Sequence, residues 1–466
     1  MFRLMNSSRR VKSLPIAFWP IAFWVTSMLV LLTPAFGQHT CSTMKSVPEM
    51  PIAGTSTITN VGDPPIVSTV TLPALAGSTV NATASGSGQQ LGPVLPEDII
   101  LPDSLLPPSA VREWAALQRL HVFGWIDGGY TVSSTGKGLL EVQPRPNRFG
   151  QNWLLNQGAI VFERTLDPSS WSWGFRSEFY MGADAALLHP ARGFGPSDNP
   201  RFGTDFRQLY LSLHAPVLTP GGLDLLLGRQ YTPLGYETTM APYRPMYSEA
   251  YVWLYSQNGA TTGAIARLHV NPDLDIIGGV TLGLNSFFSL EGRAPCYISR
   301  VIYWLDPSKR TKLLGTVYTG PEPIKAATGH LGKWETEVEA QLVHDVNRRL
   351  TLVSETNFGS DAKDPGNHLH TSWWYGTYVF GIVHVNRLLD VNTRMEWFDD
   401  ADGSRIGKRT PYGEIATGIN FMPIPALNFR PEIRWDVAGS PVFGPTSSSH
   451  LHRDQWTFAF DALLKF

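Results

Sequence analysis

Charged residues in this chain recur at every second position. Glu335, Glu337 and Glu339 form one such row, continued by Gln341. Asn428, Arg430, Glu432, Arg434 and Asp436 form another, Asp390, Asn392, Arg394 and Glu396 a third, and Arg176 with Glu178 a short fourth. A spacing of two places side chains on one face of an extended strand. The intervening positions are apolar: Thr336, Val338, Ala340 and Leu342; Leu427, Phe429, Ile433 and Trp435; Leu389, Val391, Met395 and Trp397; Trp171, Trp173, Phe175, Phe179 and Met181. Rows of both signs can do two things. Across neighbouring strands they form ion pairs that hold a wall together. Facing water, they give a polar passage its field. Different members of the rows can serve each purpose.

Other groupings carry less. Asp399-Asp400-Ala401-Asp402-Gly403-Ser404 resembles part of a calcium loop but lacks the distant bidentate Glu, so it reads better as an acidic exposed loop. His368 and His370, and again His450 and His452, have i, i+2 spacing without a further Cys/His cluster, so no metal site is expected. Serines and histidines are scattered and no Gly-x-Ser-x-Gly elbow is present, which argues against an enzyme. No cofactor is implied.

The elements that must position the charged rows are strands. Residues 456–466 alternate Trp456, Phe458, Phe460, Ala462, Leu464, Phe466 against Thr457, Ala459, Asp461, Leu463, Lys465, and the printed sequence ends on the aromatic Phe466. That length and alternation suit a tilted strand crossing a thin membrane. Similar runs are expected at 121–132, 153–163, 171–183, 205–216, 222–232, 260–270, 274–286, 296–305, 310–319, 333–345, 349–359, 372–386, 388–399, 411–423, 426–437 and 455–466. The runs at 222–232 and 372–386 do not show which face is which. Connections after even-numbered runs are short, such as Asn271-Pro272-Asp273 and Ile424-Pro425, and those after odd-numbered runs are long, such as 133–152, 184–204 and 233–259. The expected fold is therefore all-β: a transmembrane antiparallel up-and-down β-barrel of about 16 strands, with short periplasmic turns and long outer loops.

Composition agrees. Charged residues are 16% and aromatics 11% of 466 residues, and mean hydropathy is −0.08. Helical membrane proteins are more apolar, whereas a barrel hides its apolar residues on alternate positions. The net charge of −2 without a basic tract argues against nucleic acid as a partner. Residues 1–37 read as a secretory signal: Arg3, Arg9, Arg10 and Lys12, then apolar 14–32, then Ala35-Phe36-Gly37. An N-terminal membrane helix is the alternative. Residues 38–120 read as a flexible Ser/Thr/Pro/Gly-rich periplasmic leader. A helix at 109–120, capped by Ser109, would set Val111, Trp114, Leu117 and Leu120 on one side; it is a linker, or it rests under or plugs the barrel. The barrel itself is expected over 121–466. Cys41 and Cys296 are the two cysteines, and nothing in the sequence supports a disulfide between them.

A Lys or Arg at the lipid midplane costs roughly 2–4 kcal/mol, so the charged rows must face inward. The candidates for lining a pore are Arg176, Glu178, Glu335, Glu337, Glu339, Glu355, Arg394, Glu396, Arg430, Glu432, Arg434 and Asp461. A barrel this wide keeps an aqueous lumen unless plugged. Long loops around Asn199 and Pro242 can fold in and narrow it, or act at the surface.

Four separated segments resemble the OmpL-like β-barrel porin family of bacterial outer membranes: Leu225 to Glu237, Tyr247-Ser248-Glu249-Ala250-Tyr251, Val317 to Glu322, and Glu396 to Gly403. The resemblance covers about His121 to Phe466. It implies a cell outer membrane location and an aqueous channel for passive diffusion of small hydrophilic solutes or ions. The alternative is a plugged, structural or adhesive barrel acting through its surface loops. The implied partners are outer-membrane lipid, the solutes, and the barrel-assembly machinery through the final strand ending at Phe466. Large porins are often trimers, which makes a homotrimer the oligomer expected by analogy.

Overall fold

The computed structural model describes residues 110–466 other than 141, 143–146, 191–192, 197, 258 and 323–332. The expected signal, most of the leader, Ser109 and Cys41 lie outside the described residues. Sixteen antiparallel strands close into one barrel. In chain order they are β1 (Leu120–Ser133), β2 (Asn152–Arg164), β3 (Ser172–Gly182), β4 (Gly203–Ala215), β5 (Leu223–Gln230), β6 (Thr261–Asn271), β7 (Leu274–Leu284), β8 (Cys296–Trp304), β9 (Thr311–Glu322), β10 (Lys333–Asn347), β11 (Leu350–Ala362), β12 (Ser372–Asn386), β13 (Leu389–Asp400), β14 (Thr410–Ile424), β15 (Leu427–Ala438) and β16 (Asp454–Lys465). Each expected run coincides with one of these strands to within three residues at either end. Short turns and long loops alternate between the two rims.

The barrel closes through the carboxy-terminal residues. β16 pairs with β1 from Trp125 opposite Lys465 to Ser133 opposite Thr457. Beyond the last strand residue, Gly124 N–H donates to the Phe466 carbonyl at 2.7 Å and Phe466 N–H donates back at 2.9 Å. Gly124 allows this seam: a Cβ there would lie 2.8 Å from the Phe466 ring. The aromatic parity of β16 faces outward, with Trp456, Phe458, Phe460 and Leu464 exposed, while Gln455, Thr457, Asp461 and Leu463 are buried on the inner face. Outward rings stack near the long-loop rim, as in Tyr130–Trp153 at 4.9 Å, Trp435–Trp456 at 5.8 Å and Tyr375–Trp397 at 5.6 Å. Such aromatic girdles mark the interfaces of transmembrane barrels.

The two strands that the alternation left unoriented have local reasons. In β5, Gly228 takes φ +136°, and past it Arg229 and Gln230 are both buried. In β12 the inner face is itself apolar, with Trp374, Tyr378, Phe380 and Ile382 all buried, so both parities look alike.

Before β1 lies the helix α1 (Ala110–Leu117). Its Trp114 and Leu117 are exposed and Ala115 is buried. Of the side that periodicity marks as apolar, Trp114 and Leu117 are therefore left uncovered, while Leu120 is half-buried at the start of β1. A second short helix, α2 (Ala183–Leu187), follows β3. Among the described residues no helix is long and apolar enough to cross a membrane, and the spanning elements are strands.

Candidate functional site

The segment 231–260, between β5 and β6, folds into the lumen. β5 is the shortest strand of the barrel, with 8 residues, and Pro233 just beyond it lacks the N–H that continued pairing needs. Gly235 then turns with φ +83°, where a Cβ would meet Gln257 Oε1 at 2.2 Å. From Tyr231 to Gln257 most residues are buried. This inner loop contains a 3-10 turn at Ala241–Tyr243 and a π turn at Val252–Ser256, so many of its backbone groups have no regular ladder.

Buried backbone amides need partners, and the barrel wall supplies them. Glu339 accepts from Gly235 N–H at 2.6 Å, and Glu355 from Tyr236 N–H at 2.7 Å. Glu396 accepts from Tyr251 N–H at 2.7 Å and Val252 N–H at 2.6 Å, and Glu432 from Ser248 N–H at 3.0 Å. Arginines bind the loop carbonyls. Arg430 donates to Ala241 O at 2.8 Å, Arg434 to Glu249 O at 2.8 Å, and Arg394 to Ser248 O at 2.9 Å. Carboxylates thus take the loop's donors and guanidiniums its acceptors, which are the charge-assisted bonds of greatest strength.

The same side chains pair with one another. Arg430 Nε lies 3.0 Å from both Asp461 oxygens, and its guanidinium is 3.6 Å from Asp127. Arg394 reaches Glu414 at 2.9 Å and Glu237 of the loop at 2.7 Å. Arg434 reaches Asp436 at 2.8 Å. Across the lumen wall on β2 and β3, Arg176 pairs with Glu163 at 2.7 Å and Glu178 at 2.8 Å. Burial raises the Glu237 carboxyl, an effect that Arg394 partly offsets. Arg244, also in the loop, loses hydration by burial, but Glu249, Asp184 and Asp127 more than compensate and keep it charged.

The structure places all twelve pore-lining candidates on the inner face, and none is more than 5% exposed. Glu339, Glu355, Arg394, Glu396, Arg430, Glu432 and Arg434 meet at the inner loop, with Asp461 behind Arg430. Arg176 and Glu178 form a separate pair on β3, where Gln208 donates to Glu178 at 2.7 Å. Glu337 bonds to Asn357. Glu335 joins Arg405, from the loop after β13, at 3.2 Å. Asp127, Glu163, Glu237, Arg244, Arg405, Glu414 and Asp436 belong to these networks and were not among the candidates. Glu414 had a signal: it stands directly opposite Glu396 in the β13–β14 ladder, and two facing carboxylates require a cation between them. Arg394 and Arg434 provide it, at 2.9 and 3.7 Å from Glu414.

Two carboxylates of the acidic run 399–404 are taken up by backbone amides. Asp400 accepts from Ile406 N–H at 2.7 Å, and Asp402 from Trp373 N–H at 3.0 Å. His368, His370, His450 and His452 lie in outer loops. No group of three or more potential metal ligands occurs among the described residues. Cys296 opens β8 as a buried free thiol.

Residues 119–466 match the family described as "Putative beta-barrel porin-2, OmpL-like". A search of curated proteins finds no match. The fold is similar to that of the anion-selective porin from Comamonas acidovorans, with a TM-score of 0.54 and 10% identity over 74% of this chain and 99% of that one. It is also similar to OprB of Pseudomonas putida (TM-score 0.51, 10% identity, 77% and 96% covered) and to the outer membrane channel DcaP of Acinetobacter baumannii (0.50, 9%, 74% and 97%). At such identity these likenesses concern the fold. Of the four segments that carry the family resemblance, three converge in the lumen. The stretch 225–237 enters the inner loop, 247–251 is its pinned centre, and Glu396, which opens the stretch 396–403, holds the amide of Tyr251 and that of Val252 next to it.

Proposed function

Because the chain belongs to the OmpL-like β-barrel porin-2 family of the bacterial outer membrane, we propose that it is a passive diffusion channel for small hydrophilic solutes or ions, narrowed by the inner loop. The observation that carries this reading is the two-sided pinning of residues 231–260 by wall carboxylates and guanidiniums. A loop held by buried charge-assisted bonds is a fixed constriction rather than a mobile flap. Its charged anchors then act as the wall of the passage beside it. Under this reading the twelve inner charges select solutes through the field they create together. No catalytic group is required.

A second reading is favoured by the depth of that burial. Where every candidate charge is taken up by protein, the barrel can be plugged and act structurally or through its surface loops. Planar-bilayer recording of the purified, folded protein separates the two. Discrete ohmic steps are expected for the channel, and E396Q/E432Q, which weakens two pins, is expected to increase conductance or its fluctuation. Inserted protein without conductance in either form would sink the diffusion reading in favour of the plug.

The proposal extends to biogenesis. Residues 1–37 direct export, residues 38–120 remain periplasmic, β16 with Phe466 engages the barrel-assembly machinery, and three copies associate in the membrane. Cross-linking of assembled protein in native membranes tests the trimer.

A further inference from the structure

Near the long-loop rim, two arginines share one carboxylate. Arg207 Nη1 and Arg229 Nη2 each lie 3.1 Å from the same Asp205 oxygen, Oδ2. All three side chains are fully buried. Their remaining contacts are to neutral acceptors: Arg207 Nη1 donates to Leu188 O at 2.9 Å, and Arg229 Nη1 to Ser286 O at 2.6 Å. The trio therefore holds one positive charge that its own carboxylate does not balance. Several donors are also left over. Arg207 Nε and Nη2, Arg229 Nε, Gln230 Nε2 and the Thr239 hydroxyl are buried without a partner, as are the acceptors Asp205 Oδ1 and Gln230 Oε1. Buried polar groups are ordinarily satisfied, and an unmet guanidinium is among the costliest exceptions.

Two of these unmet donors, Arg207 Nη2 from the wall and the Thr239 hydroxyl from the inner loop, come to one place. Gly259 marks the place. A Cβ on it would lie 3.0 Å from Arg207 Nη2 and 2.6 Å from Thr239 Oγ1, so the absence of a side chain there lets both groups approach the same spot. Donors exceed acceptors there and the net charge is positive. A ligand that only accepts and carries negative charge meets both needs. The full enclosure of Arg207 limits it to a small ion.

We propose that Arg207 and Thr239, backed by Arg229, bind a monovalent anion of halide size between the wall and the inner loop. Such an ion neutralises the surplus guanidinium and ties β4 to the segment around Thr239. It binds the folded barrel and not the unfolded chain, so it stabilises the fold by mass action.

The test uses the full barrel in detergent with bromide as probe. Crystals grown in sodium bromide are expected to show an anomalous difference peak in contact with Arg207 Nη2. Separately, the thermal midpoint in sodium chloride should exceed that in sodium gluconate at equal ionic strength. That chloride increment should shrink in T239V, which removes the hydroxyl at nearly constant volume, and vanish in R207Q. Should R207Q fail to fold, the bromide peak and T239V still decide. Absence of the peak, with water alone at the site, would overturn the proposal, as would a chloride increment equal in wild type and T239V. Neither readout depends on conductance.

Discussion

Two stretches of the inner wall obey one geometry and differ in how much of each is apolar. On β13 to β16 most of the inward positions at mid-strand are charged: Arg394, Glu396, Glu414, Arg430, Glu432, Arg434, Asp436 and Asp461, all buried. On β6 to β12, Ile265, Ile277, Ile298, Ile302, Leu314, Val343, Val353, Phe380 and Ile382, equally buried, share the inward face with the carboxylates Glu335, Glu337, Glu339 and Glu355. The inner loop explains the split. Its middle, residues 241–251, presents backbone groups without a ladder, and the charged wall bonds them. Its ends present Leu234, Tyr236, Val252 and Trp253, which join an apolar cluster that takes in the residues of β6 to β12 and reaches Phe398 and Tyr412, with the Tyr236 ring tilted 5.8 Å from that of Phe380. Inward in a barrel does not mean wet. The composition of each wall follows what the loop brings to it.

The comparison breaks most sharply at the charged wall. Removing one member of a buried ion pair leaves the other uncompensated and costs about 3–5 kcal/mol. Arg430 carries Asp461, Asp127 and two loop carbonyls. R430M is therefore expected to lower stability by that amount in urea unfolding of the refolded barrel. R430M/D461N should recover part of the loss, because it removes both charges. A double variant no better than the single one would show that the loop carbonyls, not the ion pair, set the cost.

A smaller effect is expected where the loop meets bare backbone. Gly129 on β1 lies against Tyr247: a Cβ would come 2.4 Å from the Tyr247 hydroxyl and 2.7 Å from Phe460 O. G129A must displace the ring and its 3.2 Å bond from Asn156. Overpacking of this kind costs about 1–3 kcal/mol. The displaced centre of the loop should also become cleavable by protease while the barrel stays folded. Unchanged protease resistance would mean that the pins on Ser248 and Tyr251 hold the loop without Tyr247.

Much of this architecture was legible in the sequence because strand parity is a strong rule where one face meets lipid. β16 announces itself through Trp456, Phe458 and Phe460, and β15 through its alternating charges. The rule weakens where both faces are apolar, as at Tyr378 and Phe380, and where a glycine such as Gly228 resets the parity. The twelve candidates were readable as inward-facing, but their service to the inner loop was not. Which amide Glu396 accepts depends on a segment some 145 residues away in sequence, and no local pattern in Tyr247 to Tyr251 reports that distance. Glu237 and Arg244 escaped notice because they lie in a loop, where parity has no meaning.

On the apolar wall a conservative trim should cost less than either change above. I302V removes one buried methylene from a residue that is 2% exposed, for a loss of about 0.5–1.5 kcal/mol in the same urea assay. It should leave single-channel conductance unaltered, since none of the bonds that pin the inner loop runs through Ile302. A change in conductance would show that this wall shapes the passage after all.

The smallest effect belongs to the short-turn rim, outside both walls. At Asp306, between β8 and β9, burial would raise the carboxyl, but the Ser308 hydroxyl and the Arg310 and Thr311 amides outweigh it and bring the pKa down to about 2. Thr311 N–H donates at 2.7 Å and Arg310 N–H at 3.2 Å. A depressed carboxyl stabilises the fold fully above its ordinary value of about 3.9 and loses that contribution as pH falls through the folded value of about 2. The turn is exposed, so solvent screening limits the gain to a few tenths of a kcal/mol. D306N should therefore differ from wild type by that small margin at pH 7 and converge with it near pH 2. A gap that persists in acid would mean that the turn depends on the shape of the side chain rather than on its charge.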